Sequence, residues 1–152
     1  MSVLLFAAAL AVATPVQAGG MHTYQSVAIA PEADRVAAIE GVDPLDSMRD
    51  AHSTIVIRSA KTGAVLQTID PCKTCRYGGL TWSPKGDALA FVVTDRKAGT
   101  AAIDIAVKGA VKTATTLKGA AETIRWSPDG AALAFLAVVG AHKEVGATQA
   151  GV

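Results

Sequence analysis

Short apolar runs separated by turn residues recur along this chain, and no stretch after the first eighteen residues shows a helical period. GLTWS (79–83) and TIRWS (123–127) are β-prone runs. Each meets Ser-Pro-x-Gly, where Pro presets φ and Gly takes the left-handed conformation that closes the turn. DALAFVV (87–93) and AALAFLA (131–137) then return, apolar at consecutive positions, as strands covered on both faces do. Behind the first such pair, STIVIRS (53–59) and AVLQTI (64–69) flank Ala60-Lys61-Thr62-Gly63. Behind the second, TAAIDIAV (100–107) and VKTATTL (111–117) flank the hairpin dipeptide Lys108-Gly109.

The two Trp-led segments align 44 positions apart, Trp82 on Trp126, with Ser, Pro, Gly, Ala, Leu, Ala and Phe in register. A fainter copy, VAIAPEADRVAAIEG (27–41), lies 53 positions before the middle one and sets Pro31 on Pro84, Asp34 on Asp87 and Ile29 on Trp82. Ala33 occupies the position of the turn glycine, so that turn must differ or carry strain. Repetition at this period is the signature of a propeller or solenoid. The pattern predicts strands at 26–30, 36–41, 53–59 and 64–69, then 79–83, 88–94, 100–107 and 111–117, then 123–127 and 132–139. The expected fold is all-β: an incomplete β-propeller with blade one at 26–69, blade two at 79–117 and a partial blade three at 123–152.

WSPKGDALAF and WSPDGAALAF resemble the Trp-Ser-Pro-Asp-Gly repeat of TolB-type propellers. That repeat is shared by the N-terminal propeller of prolyl oligopeptidase family serine peptidases, the dipeptidyl and acylaminoacyl peptidases among them. The resemblance covers about residues 26–137. It implies a propeller that gates substrate entry and docks on a hydrolase domain carrying a Ser-Asp-His triad. This chain has no Gly-x-Ser-x-Gly elbow and no βαβ pattern to hold one, so no catalytic residue transfers to it. Two blades and part of a third do not close a ring. The chain therefore reads as the front portion of a longer protein, or as a protomer completed by others. The partners implied are the remaining blades and hydrolase domain, or other protomers, with a peptide as substrate of the whole. A TolB-like periplasmic interaction module is the alternative, and a self-assembling partial propeller the third reading.

The run VLLFAAALAVA (3–13), then Pro15 and Val16-Gln17-Ala18, reads as a secretory signal at 1–18 with cleavage after Ala18, although the n-region Met-Ser carries no Lys or Arg. The mature segment 19–152 is then exported, periplasmic or extracellular, with no membrane attachment after cleavage. Fourteen basic and 13 acidic residues give a net charge of +1, which points to neither nucleic acid nor an anionic membrane. Apolar residues make up 51% of the chain but aromatics only 5%, so the core must rest on many close contacts between small side chains.

Candidate chemistry is sparse. Cys72-Lys73-Thr74-Cys75 has the spacing of a local disulfide, a redox pair or half a zinc site. With no second CxxC, no paired His and no βαβ context, a structural disulfide or two unpaired thiols is favoured, and no metal or cofactor is expected. His22, His52 and His142 share no motif. Asp43, Asp46 and Asp50 in loop 42–52 lack calcium-loop spacing and read as solvated. Trp82 and Trp126 are expected to pack in the core. Pro84, Gly86, Pro128, Asp129 and Gly130 are assigned to the repeat turns, with Ser83 and Ser127 bonding local backbone. Alternating turns place the cysteine loop (70–78) on one rim with loop 42–52, and the Ser-Pro-x-Gly turns on the other.

Overall fold

The computed structural model of the chain describes residues 21–43 and 52–141. The expectations for the leader 1–18, for Asp46 and Asp50, and for 142–152 with His142 lie outside those residues. Among the described residues the protein is all-β and has no helix. The strands are β1 (Met21–Ile29), β2 (Arg35–Asp43), β3 (Thr54–Ser59), β4 (Val65–Ile69), β5 (Arg76–Trp82), β6 (Ala88–Asp95), β7 (Thr100–Val107), β8 (Ala110–Trp126) and β9 (Leu133–Val139). They form a four-stranded sheet ordered β1-β2-β3-β4 and a five-stranded sheet ordered β5-β6-β7-β8-β9, all neighbours antiparallel.

Two differences from the sequence expectation have physical causes. The strands expected at 111–117 and 123–127 are one strand, β8. Its first half pairs with β7 and its second half with β9. No proline interrupts LKGAAET (117–123), and Gly119, although it follows a lysine as Gly109 does in the 108–109 turn, bends the strand at φ 124° instead of closing a hairpin. There a Cβ would collide with the Val138 carbonyl, so only glycine fits. The bend curls the sheet, laying the β8–β9 hairpin against β5, β6 and β7. The strands bordering the expected loops are also longer. β5 begins at Arg76, which pairs with Thr94, and β2 runs past Val42, which pairs with His22, to Asp43.

The three repeat turns share one hydrogen-bond pattern. Gly86 N–H donates to Ser83 O and Gly130 N–H to Ser127 O, at 2.8 and 2.9 Å. In the first repeat Ala33 N–H donates to Ala30 O at 2.8 Å, with φ 54° beside 71° for Gly86 and 73° for Gly130. That turn keeps the common geometry and places an alanine in the left-handed region.

Two apolar layers follow. Between the sheets, Ala37, Ile39, Ile55, Ile57 and Ile69 meet Leu80, Trp82, Leu89, Phe91 and Val93. On the other side of β6 and β7, Ala90, Val92 and Ile103 meet Ile124, Trp126, Leu133 and Phe135 of the β8–β9 hairpin. Strand β6 is therefore covered on both faces, as its unbroken apolar run requires. Strand β9, with the same sequence pattern, is covered on one.

Candidate functional site

The seams between the layers are built from equivalent residues. Trp82 Nε1–H donates to Ala28 O at 3.1 Å across the first seam, and Trp126 Nε1–H donates to Thr81 O at 3.2 Å across the second. Ala28 and Thr81 stand at matching repeat positions, as do the two tryptophans, so one strut is made twice. The turns stack in the same sense. A Cβ on Gly86 would lie 3.4 Å from Pro31 Cδ, and one on Gly130 would lie 3.4 Å from Pro84 Cδ. Inside the turns, Ser83 Oγ donates to Asp87 at 2.7 Å and accepts Ala88 N–H, while Ser127 Oγ donates to Asp129 at 2.5 Å and accepts Ala132 N–H. These serines are thereby occupied as caps. Trp82, Pro84, Gly86, Trp126, Asp129 and Gly130 thus take part in the seams or their turns, and Pro128 occupies the last turn.

Each seam has a pin of its own. In the first, the Arg35 guanidinium lies 5.0 Å from the Trp82 ring centroid and donates to Gly86 O at 3.0 Å. In the second, Ile124 fills the space left by Gly79: a Cβ there would sit 2.8 Å from Ile124 Cγ2. Gly79 and Thr123 are matching bulge residues, both left-handed at φ 59° and 53°.

The cysteine rim holds a second cluster. Cys72 and Cys75 form a disulfide, and Cys75 is buried in the first seam. The Asp70 side chain, 11% exposed, accepts hydrogen bonds from Lys73 Nζ (2.7 Å), His52 Nε2 (2.8 Å) and the Tyr77 hydroxyl (2.8 Å). The same hydroxyl accepts Cys72 N–H at 2.9 Å. Burial pushes the Asp70 carboxyl upward, but the three donors outweigh it and hold the group down at about 2. Burial, then the Asp70 carboxylate, raises Tyr77 above its ordinary range, against the pull of the Cys72 backbone, so the phenol keeps its proton. His52 thereby ties the end of loop 42–52 to the cysteine loop. No sequence motif links His52, Asp70 and Tyr77; the only cue is that Asp70 and Tyr77 flank the CxxC.

On the opposite rim an open groove of about 430 Å³ lies between the sheets, with Arg35, Lys85 and Lys108 around Trp82, Leu66 and Leu89. Within β7, Asp104 is 5% exposed and its Oδ1 has no hydrogen-bond partner. Among the described residues no group of three or more His, Cys, Asp or Glu is arranged to hold a metal, and no helix is long and apolar enough to cross a membrane.

The apolar faces at the two ends of the stack are open. At one end Val27 and Ile29 of β1 are 60% and 64% exposed, although their counterparts Leu80 and Trp82 are buried. At the other, Leu136 is 60% exposed, although its counterparts Ile39 and Val92 are buried. Compared with protein-family models, curated proteins and solved structures, the chain matches none.

Proposed function

We propose that this chain is a non-catalytic propeller segment of an exported serine peptidase resembling prolyl oligopeptidase, contributing substrate gating and domain docking to chemistry carried elsewhere. The observation that carries the propeller half is the repeated strut, Trp82 to Ala28 and Trp126 to Thr81. Contacts that recur at equivalent positions mean that each repeat meets the one before it in the same way, as units of a radial or linear array do. The apolar faces open at both ends of the stack fit a segment that docks further sheets. The peptidase half rests on the likeness of WSPKGDALAF and WSPDGAALAF to that family's propeller repeat. A TolB-like interaction module is the second reading, favoured by the disulfide rim organised around Asp70, an ordered surface suited to partner recognition.

The test uses native cells labelled with a fluorophosphonate probe, which modifies active serine hydrolases, followed by precipitation with an antibody raised against this chain. The peptidase reading expects probe signal in the precipitate from the exported fraction, and no label on the purified chain alone. Antigen recovered from that fraction without label overturns it in favour of the interaction module. Antigen confined to the cytoplasm overturns both.

A further inference from the structure

We propose that the outer face of β9 and the second half of β8 is a docking surface for a β-sheet whose inner strand ends in Trp-Ser-Pro-x-Gly. This rests on the stacking reading above and names the partner's chemistry. Both observed seams present the same acceptors, and the open face presents them a third time. Arg125 pairs with Ala134 in the register in which Ala28 pairs with Ala37 and Thr81 with Ala90, so its carbonyl stands where the two strut acceptors stand. Pro128 stands where Pro31 and Pro84 receive a turn glycine. Leu136 stands where Ile39 and Val92 are 1% and 3% exposed, yet it is 60% exposed, with Val138 beside it at 61%. The open face thus continues a succession of seams already formed twice.

A second copy of this chain is the poorer occupant. Its free face offers Ile29 in place of Trp, and so lacks the indole donor.

Mixing full-length chains tests this. A donor chain carries Ile29→Trp, with Leu136→Asp to block its own acceptor face; the acceptor is the unmodified chain. Both donor substitutions fall on exposed side chains, and near-UV circular dichroism confirms that each variant folds. Sedimentation velocity is expected to show a 1:1 complex about tenfold tighter than with a donor lacking Ile29→Trp, the worth of one indole–carbonyl hydrogen bond. The introduced indole N–H is expected to gain protection from solvent exchange on mixing. Affinity independent of Ile29→Trp, or undiminished when the acceptor carries Leu136→Asp, would overturn the docking surface. A stoichiometric dimer of the unmodified chain, abolished by Leu136→Asp, would make a second copy the occupant and refute the Trp-led partner. The fluorophosphonate outcome does not depend on any of these, so the two readings fail separately.

Discussion

Replacing Gly79 by alanine isolates the packing cost of the second seam. The new Cβ would lie 2.8 Å from Ile124 Cγ2 and 3.1 Å from Val92 Cγ2, and those side chains, 0% and 3% exposed, have no solvent to retreat into. Overpacking of this kind costs about 1–3 kcal/mol. The backbone sits at φ 59°, which adds about 1–2 kcal/mol for any residue with a Cβ. Against this, alanine restricts the unfolded chain and returns about 0.4–1 kcal/mol. The net expectation is a loss of about 1–5 kcal/mol. Gly63→Ala supplies the control. Gly63 is left-handed at φ 71°, and a Cβ added there would meet nothing within 4 Å. That variant therefore bears the backbone term and the same unfolded-state gain without the collision. The difference between the two variants in urea unfolding, followed by tryptophan fluorescence, should be about 1–3 kcal/mol, the collision alone. Equal losses, or a smaller one at Gly79, would mean that the β8–β9 hairpin is not seated on β5 and β6 as described.

Three further outcomes are expected. Trp82→Phe should cost about 2–3 kcal/mol by stranding Ala28 O in the first seam, whereas Trp126→Phe, at a more exposed seam, should cost about 1 kcal/mol; far-UV circular dichroism should follow unfolding, because the chain has two Trp in all. Asp70 has a folded-state pKa lowered from 3.8 to about 2, so its contribution is complete above about pH 4 and is lost as pH falls through about 2. The full shift is worth about 2 kcal/mol and solvent at the rim reduces it to about 1 kcal/mol; urea midpoints in that acid range should fall less steeply for Asp70→Asn. Asp104→Val should raise stability by about 1–3 kcal/mol, read as a higher thermal midpoint, because it removes a buried carboxylate oxygen that has no partner.

Turns are the most legible part of the sequence, because proline and glycine act on the backbone locally. Ser-Pro-x-Gly at 83–86 and 127–130 and Lys108-Gly109 mark real turns, and the Ala33 turn follows the same hydrogen bonding despite its missing glycine. Apolar runs mark the strands but not all their ends. The pairing of Arg76 with Thr94 and His22 with Val42 depends on the partner strand, which no local pattern encodes. The fusion of two expected strands into β8 turns on Gly119, whose sequence context is that of an ordinary loop glycine and whose closeness to Val138 exists only in the folded chain. Of the rim cluster, the cysteines carry a spacing and so can be found. His52, Asp70 and Tyr77 come together only through the pairing of β3 with β4 and the turn into β5, and Asp104 sits in an apolar strand whose alternation gives no sign of its orphaned oxygen.

The struts also explain how a core so rich in alanine holds a fixed arrangement. Apolar contact is non-directional, and faces bearing Ala37, Ala90 and Ala106 offer little relief to stop one sheet sliding over the next. An indole N–H directed at one carbonyl sets that register, and each seam adds a pin of its own. The first uses Arg35, stacked on Trp82 and bonded to Gly86 O. The second has Ala88 at the position of Arg35 and uses the Ile124 side chain over Gly79 instead. At the open end, Ala132 stands at the Arg35 position and Thr123 at the Gly79 position, so neither pin is available. A sheet docking there is registered by its tryptophan and its turn glycine on Pro128, which makes that face more dependent on the indole hydrogen bond than either seam already formed.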